Sequence, residues 1–402
     1  MQRIEMRWLR LALTCLLVPA LLSACATPQR LAAVPASLTT QAETGFGNIR
    51  FFPARDTKPF AEEAVDSVRK EQAWLASKGH SGPLPPAYFL AVSGGGHNGA
   101  FGAGLLTGWT AAGNRPEFKV VTGISTGALI APFAFLGSRY DSQLEQVYTT
   151  ISQRDIFTKR GMIKGFFSDG LADTTPLRHM VARFVDRAML DAIAAEYRKG
   201  RLLLVATAEL DALEPVIWNM TAIAASPDPR AADLFRNVLV ASASIPGAFP
   251  PVMIDVTVGG QRYQEMHADG GTIAQVFLYP PSAKAYIGDR LVERKRVLYI
   301  IRNARLDPDW QNINRRTLPV ATRAISSLTQ TQGIGDLYRI YATAQRDGLD
   351  YNLAYIPSSF NVVAKEEFDQ DYMRQLYAVG RSMGQKGYPW EKVPPGFDAP
   401  AR

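Results

Sequence analysis

The sequence predicts an α/β fold, a mostly parallel central sheet sandwiched by helices. Three observations carry this reading. Short continuous apolar runs at 88–93 and 202–209 lack the polar alternation of a half-wet strand and suit strands buried on both faces. Such runs alternate along the chain with helix-like segments, the order that lays strands down in parallel. Two of the runs end directly in glycine clusters that open helices, giving strand–turn–helix junctions.

In chain order, a helix is expected over 61–78, ahead of the Pro/Gly-rich break that precedes the strand 88–93. A helix near 100–112 follows the first glycine cluster, and a strand at 118–122 feeds a buried helix at 126–136 that opens on Ala128-Leu129-Ile130. Further on come a helix at 176–199, a strand at 202–209, a helix at 232–242 and strands at 261–266 and 296–302. Helices at 325–347 and 366–383 complete the chain. A length of 402 residues permits two domains, yet no repeat or low-complexity tract divides residues 59–402, which read as one.

The most informative stretch is Gly123-Ile124-Ser125-Thr126-Gly127. A serine between two glycines, entered from an apolar strand and followed by a helix, suggests a nucleophile elbow. Flanking glycines remove the β-carbons that would clash where the chain folds back. Ser125 would sit at a helix N-terminus, where free amides and the helix dipole favour developing negative charge.

The second cluster is Gly94-Gly95-Gly96-His97-Asn98-Gly99. Bare amides from Gly94, Gly95 and Gly96 could converge on an oxyanion. A phosphate cradle or a flexible turn with close helix packing are the competing readings. No Gly-Lys-Ser/Thr follows, which excludes a P-loop. The third cluster is His267-Ala268-Asp269-Gly270-Gly271, where an aspartate held against Ser125 could take its proton directly, although Asp-Gly-Gly in isolation is also an ordinary turn.

Four histidines are present (His80, His97, His179 and His267) and none lies in the C-terminal third, so the order serine, acid, late histidine has no candidate. His267 either tunes Asp269 or is a polar residue at a strand end. His97 is either a loop residue or a proton carrier. His80 and His179 have no paired ligands at metal spacing, and no metal or cofactor is expected.

Together these ordered clusters resemble the patatin-like phospholipase family, whose pattern is Gly-Gly-Gly-x-Arg/Lys-Gly, Gly-x-Ser-x-Gly and Asp-Gly-Gly/Ala. Ala241-Ser242-Ala243-Ser244-Ile245-Pro246 is similar to the family's Ala-Ser-x-x-Ile/Phe-Pro segment, and the resemblance covers roughly residues 86–272. It implies a three-layer α/β/α fold, a Ser125–Asp269 dyad without histidine, an oxyanion loop at Gly94–Gly96, and hydrolysis of phospholipid or related acyl esters through an acyl-enzyme. Asn98 departs from the pattern, standing where the family carries Arg or Lys. A non-catalytic lipoprotein that binds lipid or an envelope partner is the alternative that this departure supports.

At the N-terminus, Arg3, Arg7 and Arg10 precede the apolar run 11–22, which is short for a bilayer span and has the layout of a secretory signal. Leu22-Ser23-Ala24-Cys25 resembles a bacterial lipobox, implying cleavage before Cys25, lipid on its thiol and, with Ala26 next, an outer-membrane address. The expected organisation is a lipoprotein signal peptide at 1–24, lipidated Cys25 and a flexible tether over 25–58, then the acyl hydrolase domain. Loss of 1–24 removes three Arg and one Glu, lowering the formal charge from +7 to +5. That mild surplus suits anionic headgroups. Basic residues are scattered and no recognition motif for nucleic acid is present. Lys159-Arg160 and Arg294-Lys295-Arg296 read as solvated loops. The glycine-hinged apolar segment 157–167 reads equally as a lid, a membrane-dipping loop or a packed connection.

Overall fold

The computed structural model describes residues 29–160, 169–288, 293–308 and 310–397. Its strands are β1 (Arg50–Phe51), β2 (Ala87–Val92), β3 (Val120–Gly123), β4 (Thr158–Lys159), β5 (Ala172–Asp173), β6 (Leu202–Glu209), β7 (Glu214–Asn219), β8 (Val252–Val258), β9 (Gln261–Asp269), β10 (Arg296–Arg302) and β11 (Leu349–Tyr355). In the main sheet β6, β3, β2, β10 and β11 lie side by side in parallel. Antiparallel β7 and β1 extend the sheet beyond β6, while β4 and β5 form a separate small pair.

Every residue of β6 is buried, and its two faces alternate between two cores. Leu203 and Val205 join Leu90 and Val92 of β2 beneath the helices Gly99–Ala111 and Thr126–Leu136. On the other face Leu202 and Leu204 pack with Phe60 of the helix Thr57–Ser77, and Ala91, Leu298 and Ile300 pack with Leu337 and Ile340 of the long helix Thr317–Asp347. Apolar surface thus leaves water on both sides of the sheet, which is why its strands read as continuous apolar runs. The expected three-layer α/β/α class is observed.

The sheet's topology decides where chemistry can occur. The chain runs β2, β3, β6 in one direction and then restarts on the other side of β2 with β10 and β11. Loops leaving the carboxyl ends of β2 and β10 therefore diverge and open a crevice. Along one edge of β6, β3 pairs with Leu202–Val205 and β9 takes over at Thr207–Glu209, with Thr207 opposite Asp269. Asp269 is thereby delivered just past the end of β3, where the Ser125 turn begins.

Several elements differ from expectation. The single helix expected over 176–199 is two, Thr175–Phe184 and Arg187–Arg198, because Val185 leaves helical geometry at ψ 72° and the Asp186 carboxylate caps the second helix through the Met189 amide at 2.8 Å. The last helix is Gln370–Gln385, starting where the Asp369 side chain accepts from the amides of Asp371 and Tyr372. Strands β7, β8 and β11 have no counterpart in the expected elements. The 25–58 tether also needs correction, since Ile49, Phe51 and Phe52 are buried, β1 pairs with β7, and Glu43 bridges to Thr257. Apolar side chains and free strand edges hold that segment on the domain. Cys25 and the signal segment 1–24 lie outside the described residues. Arg294 is no solvated loop residue: it is half-buried, with its side chain largely covered, and pairs with Glu71 at 2.7 Å.

The glycine-loop helix Gly99–Ala111 crosses the helix Gln370–Gln385 with backbones in contact. A Cβ on Gly104 or Gly108 would run into the carbonyls of Tyr377 and Arg381, and one on Gly380 or Gly384 into those of Phe101 and Leu105. Gly104→Ala is expected to lower the unfolding free energy by about 1–3 kcal/mol, measured by urea denaturation. An unchanged midpoint would show that the crossing tolerates a methyl group.

Candidate active site

The elbow is built as the sequence suggests. Ser125 has φ 55° and ψ −126°, a left-handed conformation that a side chain adopts only under constraint, and it caps the helix Thr126–Leu136. The flanking glycines are steric necessities: a Cβ on Gly123 would strike the Gly127 carbonyl, and one on Gly127 the Val92 carbonyl. The strained turn is pinned by Ser242, whose fully buried hydroxyl accepts from the Ser125 amide at 3.0 Å and donates to the Ala206 carbonyl at 2.7 Å. Two residues on, the Ser244 carbonyl accepts from the Asp269 amide at 2.9 Å. The segment 241–246 therefore ties the serine and the aspartate to one backbone.

Ser125 Oγ donates to Asp269 Oδ2 at 2.6 Å, and Asp269 Oδ1 accepts from the Gly271 amide at 2.7 Å. Both residues are buried. Burial pushes the Asp269 carboxyl up to about 7, against the downward pull of the Ser125 hydroxyl and the Gly271 amide. Among the described residues no cation acts on it. A carboxylate held by two neutral donors and no counter-ion is a far stronger base than an exposed one.

The glycine loop stands over Ser125. A Cβ on Gly94 would lie 3.2 Å from Ser125 Cβ, and one on Gly95, at φ 151°, would strike the Asn303 carbonyl. Asn303, just past β10, clamps the loop: its Oδ1 accepts from the Gly102 amide at 3.0 Å and its Nδ2 donates to the Ser93 carbonyl at 2.9 Å. The Gly94 amide donates to the Gln275 carbonyl at 3.0 Å, so Gly94 is corrected from oxyanion donor to a point of close approach. Gln275 is held in turn, its own amide donating to the buried Asp336 carboxylate at 2.6 Å. The amides of Gly95, Gly96 and Thr126 have no hydrogen-bond partner among the described residues. Thr126 was not among the expected site residues. Its place directly after the elbow serine, at the first turn of a helix, is the signal that identifies it.

His267 does not touch Asp269. Its Nδ1 meets Thr207 Oγ1 at 2.9 Å and its Nε2 meets Glu265 Oε2 at 3.2 Å; it is fully buried, and burial pulls its pKa down. Burial alone would raise Glu265, but His267 and Arg50 hold it down to about 2. His97 Nδ1 accepts from the Phe368 amide at 3.2 Å, and Asn98 Oδ1 accepts from Tyr372 Oη at 2.6 Å. Both residues following the glycine loop are thus committed to the C-terminal helix and its approach. Of the segment 157–167, residues 161–167 lie outside the described residues; Phe157 at its start is buried.

Residues 90–280, just under half of the chain, match the family model Patatin, described as patatin-like phospholipase. No curated protein matches the chain. Among solved structures, VipD from Legionella pneumophila is similar at 10% identity and TM-score 0.35, over 76% of this chain and 67% of that one. Human GIVD cytosolic phospholipase A2 is similar at 10% identity and TM-score 0.32, over 76% and 54%. The type III effector protein ExoU is similar at 14% identity and TM-score 0.21, again over 76% and 54%. The chain thus spans about two thirds of the first and just over half of the other two.

Ser242→Ala leaves the Ser125 amide and the Ala206 carbonyl buried without their partner. It is expected to cost about 1–3 kcal/mol in thermal or chemical unfolding. Wild-type stability in the variant would show that Ser242 does not pin the turn.

Proposed function

We propose that the chain is a serine lipid acyl hydrolase that cleaves carboxylic esters of phospholipids or related acyl esters through an acyl-enzyme. The observation that carries this reading is the 2.6 Å hydrogen bond from Ser125 Oγ to the buried Asp269 carboxylate, at a turn that holds the serine in a strained conformation. Ser125 Oγ attacks the ester carbonyl while Asp269 Oδ2 takes the hydroxyl proton. Charge developing on the carbonyl oxygen is met by the amides of Gly95, Gly96 and Thr126, oriented before the reaction begins. Asp269 then returns the proton to the leaving alcohol or lysolipid. Water then attacks the acyl carbonyl while Asp269 takes its proton, and Asp269 returns that proton to Ser125 Oγ as the fatty acid leaves.

The match to patatin-like phospholipases supports lipid as the substrate class. A protein that only binds lipid would need neither the strained serine nor a base without a counter-ion, and with Asn98 engaged by Tyr372 no contact among the described residues favours that alternative. Attachment to the outer membrane through lipid on Cys25 belongs to the same proposal and rests on Leu22-Ser23-Ala24-Cys25. Cys25→Ala is expected to abolish incorporation of labelled palmitate in bacteria; retained label would refute the anchor.

Labelling of the purified protein by a fluorophosphonate, located by mass spectrometry, tests the chemistry. Adduct is expected on Ser125, absent in Ser125→Ala, and formed at least about 100-fold more slowly in Asp269→Asn. Because the ionised carboxylate is the base, the labelling rate should rise with pH through about 7 and level off above it. Folded wild-type protein that is not labelled, or a rate that ignores Asp269, would overturn the proposal.

A further inference from the structure

The long helix Thr317–Asp347 has two unlike halves. Its C-terminal half is packed, with Asp336, Leu337, Ile340 and Ala344 buried. Over residues 317–328 every described side chain is exposed except half-buried Arg323. Arg323, Ser326, Ser327, Gln330 and Thr331 of this helix line a cavity of about 610 Å³ that reaches His97 and Asn98, the residues directly after Gly96. At 100° per residue these five positions form one face, and Ile325 and Leu328 fall on the opposite one.

A surface helix ordinarily turns its apolar face inward and its polar face to water. Here the pattern is inverted. The face toward the protein carries hydroxyl, amide and guanidinium groups, while Ile325 is 63% and Leu328 71% exposed on the outer face. Trp310, upstream of the helix, is 87% exposed, and Val363, which lines the same cavity, is 85% exposed. Scattered exposed apolar residues need no explanation, but Trp310, Val320, Ile325 and Leu328 all stand exposed within the single stretch 310–328. Charge narrows the occupant. From 310 to 335 the chain carries Arg315, Arg316 and Arg323 and no Asp or Glu. A second copy of this chain would bring the same cations against themselves, whereas an anionic lipid surface meets both the apolar side chains and the positive charge.

We propose that the segment 310–328 is a docking surface for an anionic lipid bilayer. It lies at the carboxyl end of the sheet, because the cavity beneath it is also lined by Ala304 and Ile356, which follow β10 and β11. The enzyme therefore rests on the membrane with its Ser125 end inward. Docking stands independently of the hydrolase reading; only the kinetic comparison below rests on that reading.

The test uses the full chain with vesicles of phosphatidylcholine, alone or mixed with phosphatidylglycerol, carrying brominated acyl chains. Quenching that is present in the wild type and missing in Trp310→Phe reports this face whatever the N-terminus does. The expected result is Trp310 quenching on the mixed vesicles. It should weaken roughly tenfold in lipid affinity in Ile325→Asp/Leu328→Asp and lose its dependence on the anionic lipid in Arg315→Gln/Arg316→Gln. The aspartate double variant should hydrolyse a soluble short-chain ester as the wild type does, showing it folded, and hydrolyse vesicle lipid about tenfold more slowly. Unquenched Trp310, equal quenching in the double variant, or a Trp310 shift that follows protein concentration without lipid would overturn the docking surface. If no form cleaves the soluble ester, the hydrolase reading fails while the quenching result still decides the docking.

Discussion

A buried carboxylate without a counter-ion is the constraint on which the rest of the site depends. Asp269 is removed from water, receives one hydrogen bond from Ser125 and one from Gly271, and among the described residues has no cation acting on it. Taking a charge out of water is costly, and in a rigid site the carboxyl responds by holding its proton more tightly. In the proposed reaction, the same cost lets the serine hydroxyl's partner act as a base near neutral pH without any imidazole. The one buried histidine close by in sequence, His267, is spent elsewhere in an Arg50–Glu265–His267–Thr207 network that neutralises itself. Charge is therefore balanced on that stretch of β9 and left unbalanced two residues later, at Asp269.

The surrounding elements hold this unfavourable arrangement in place. On one side β9 enters β6 just past the end of β3, which sets Asp269 against the elbow by strand register alone. Ser242 and Ser244 then fix the elbow amide and the Asp269 amide to the end of a single helix. On the other side Asp336 of the long helix holds Gln275, Gln275 holds Gly94, and Asn303 holds the rest of the glycine loop. Amides prevented from relaxing are what electrostatic stabilisation of an oxyanion requires. The long helix thus serves the site with its buried half, while its other half stands exposed beyond it.

Much of this was legible in the sequence, because the relevant signals are local. Ser125 announces itself through glycines whose β-carbons the turn cannot admit, and the apolar runs at β2, β6 and β10 announce a sheet covered on both faces. The lack of a late histidine directed attention to an aspartate, and the structure brings Asp269 to Ser125. Ser242, Asn303, Gln275 and Asp336 could not be read in the same way. Each is a single polar residue acting through a tertiary hydrogen bond over a long sequence separation, and nothing in its neighbours marks it. The free amide count also escaped sequence reasoning, since only the fold shows that Gly94 is engaged by Gln275 while Thr126 is not. Residues 42–55 looked like tether on composition, yet Ile49, Phe51 and Phe52 supply enough apolar surface to dock it.

The central claim is that Asp269 carries its charge without a counter-ion, and infrared difference spectroscopy of its carboxyl stretch, with Asp269→Asn as the reference, tests it most directly. The account predicts protonation near pH 7, and a further upward shift in Ser125→Ala, where the hydroxyl that favours the charged form is gone. Titration near pH 4, unmoved by loss of the serine hydroxyl, would contradict it.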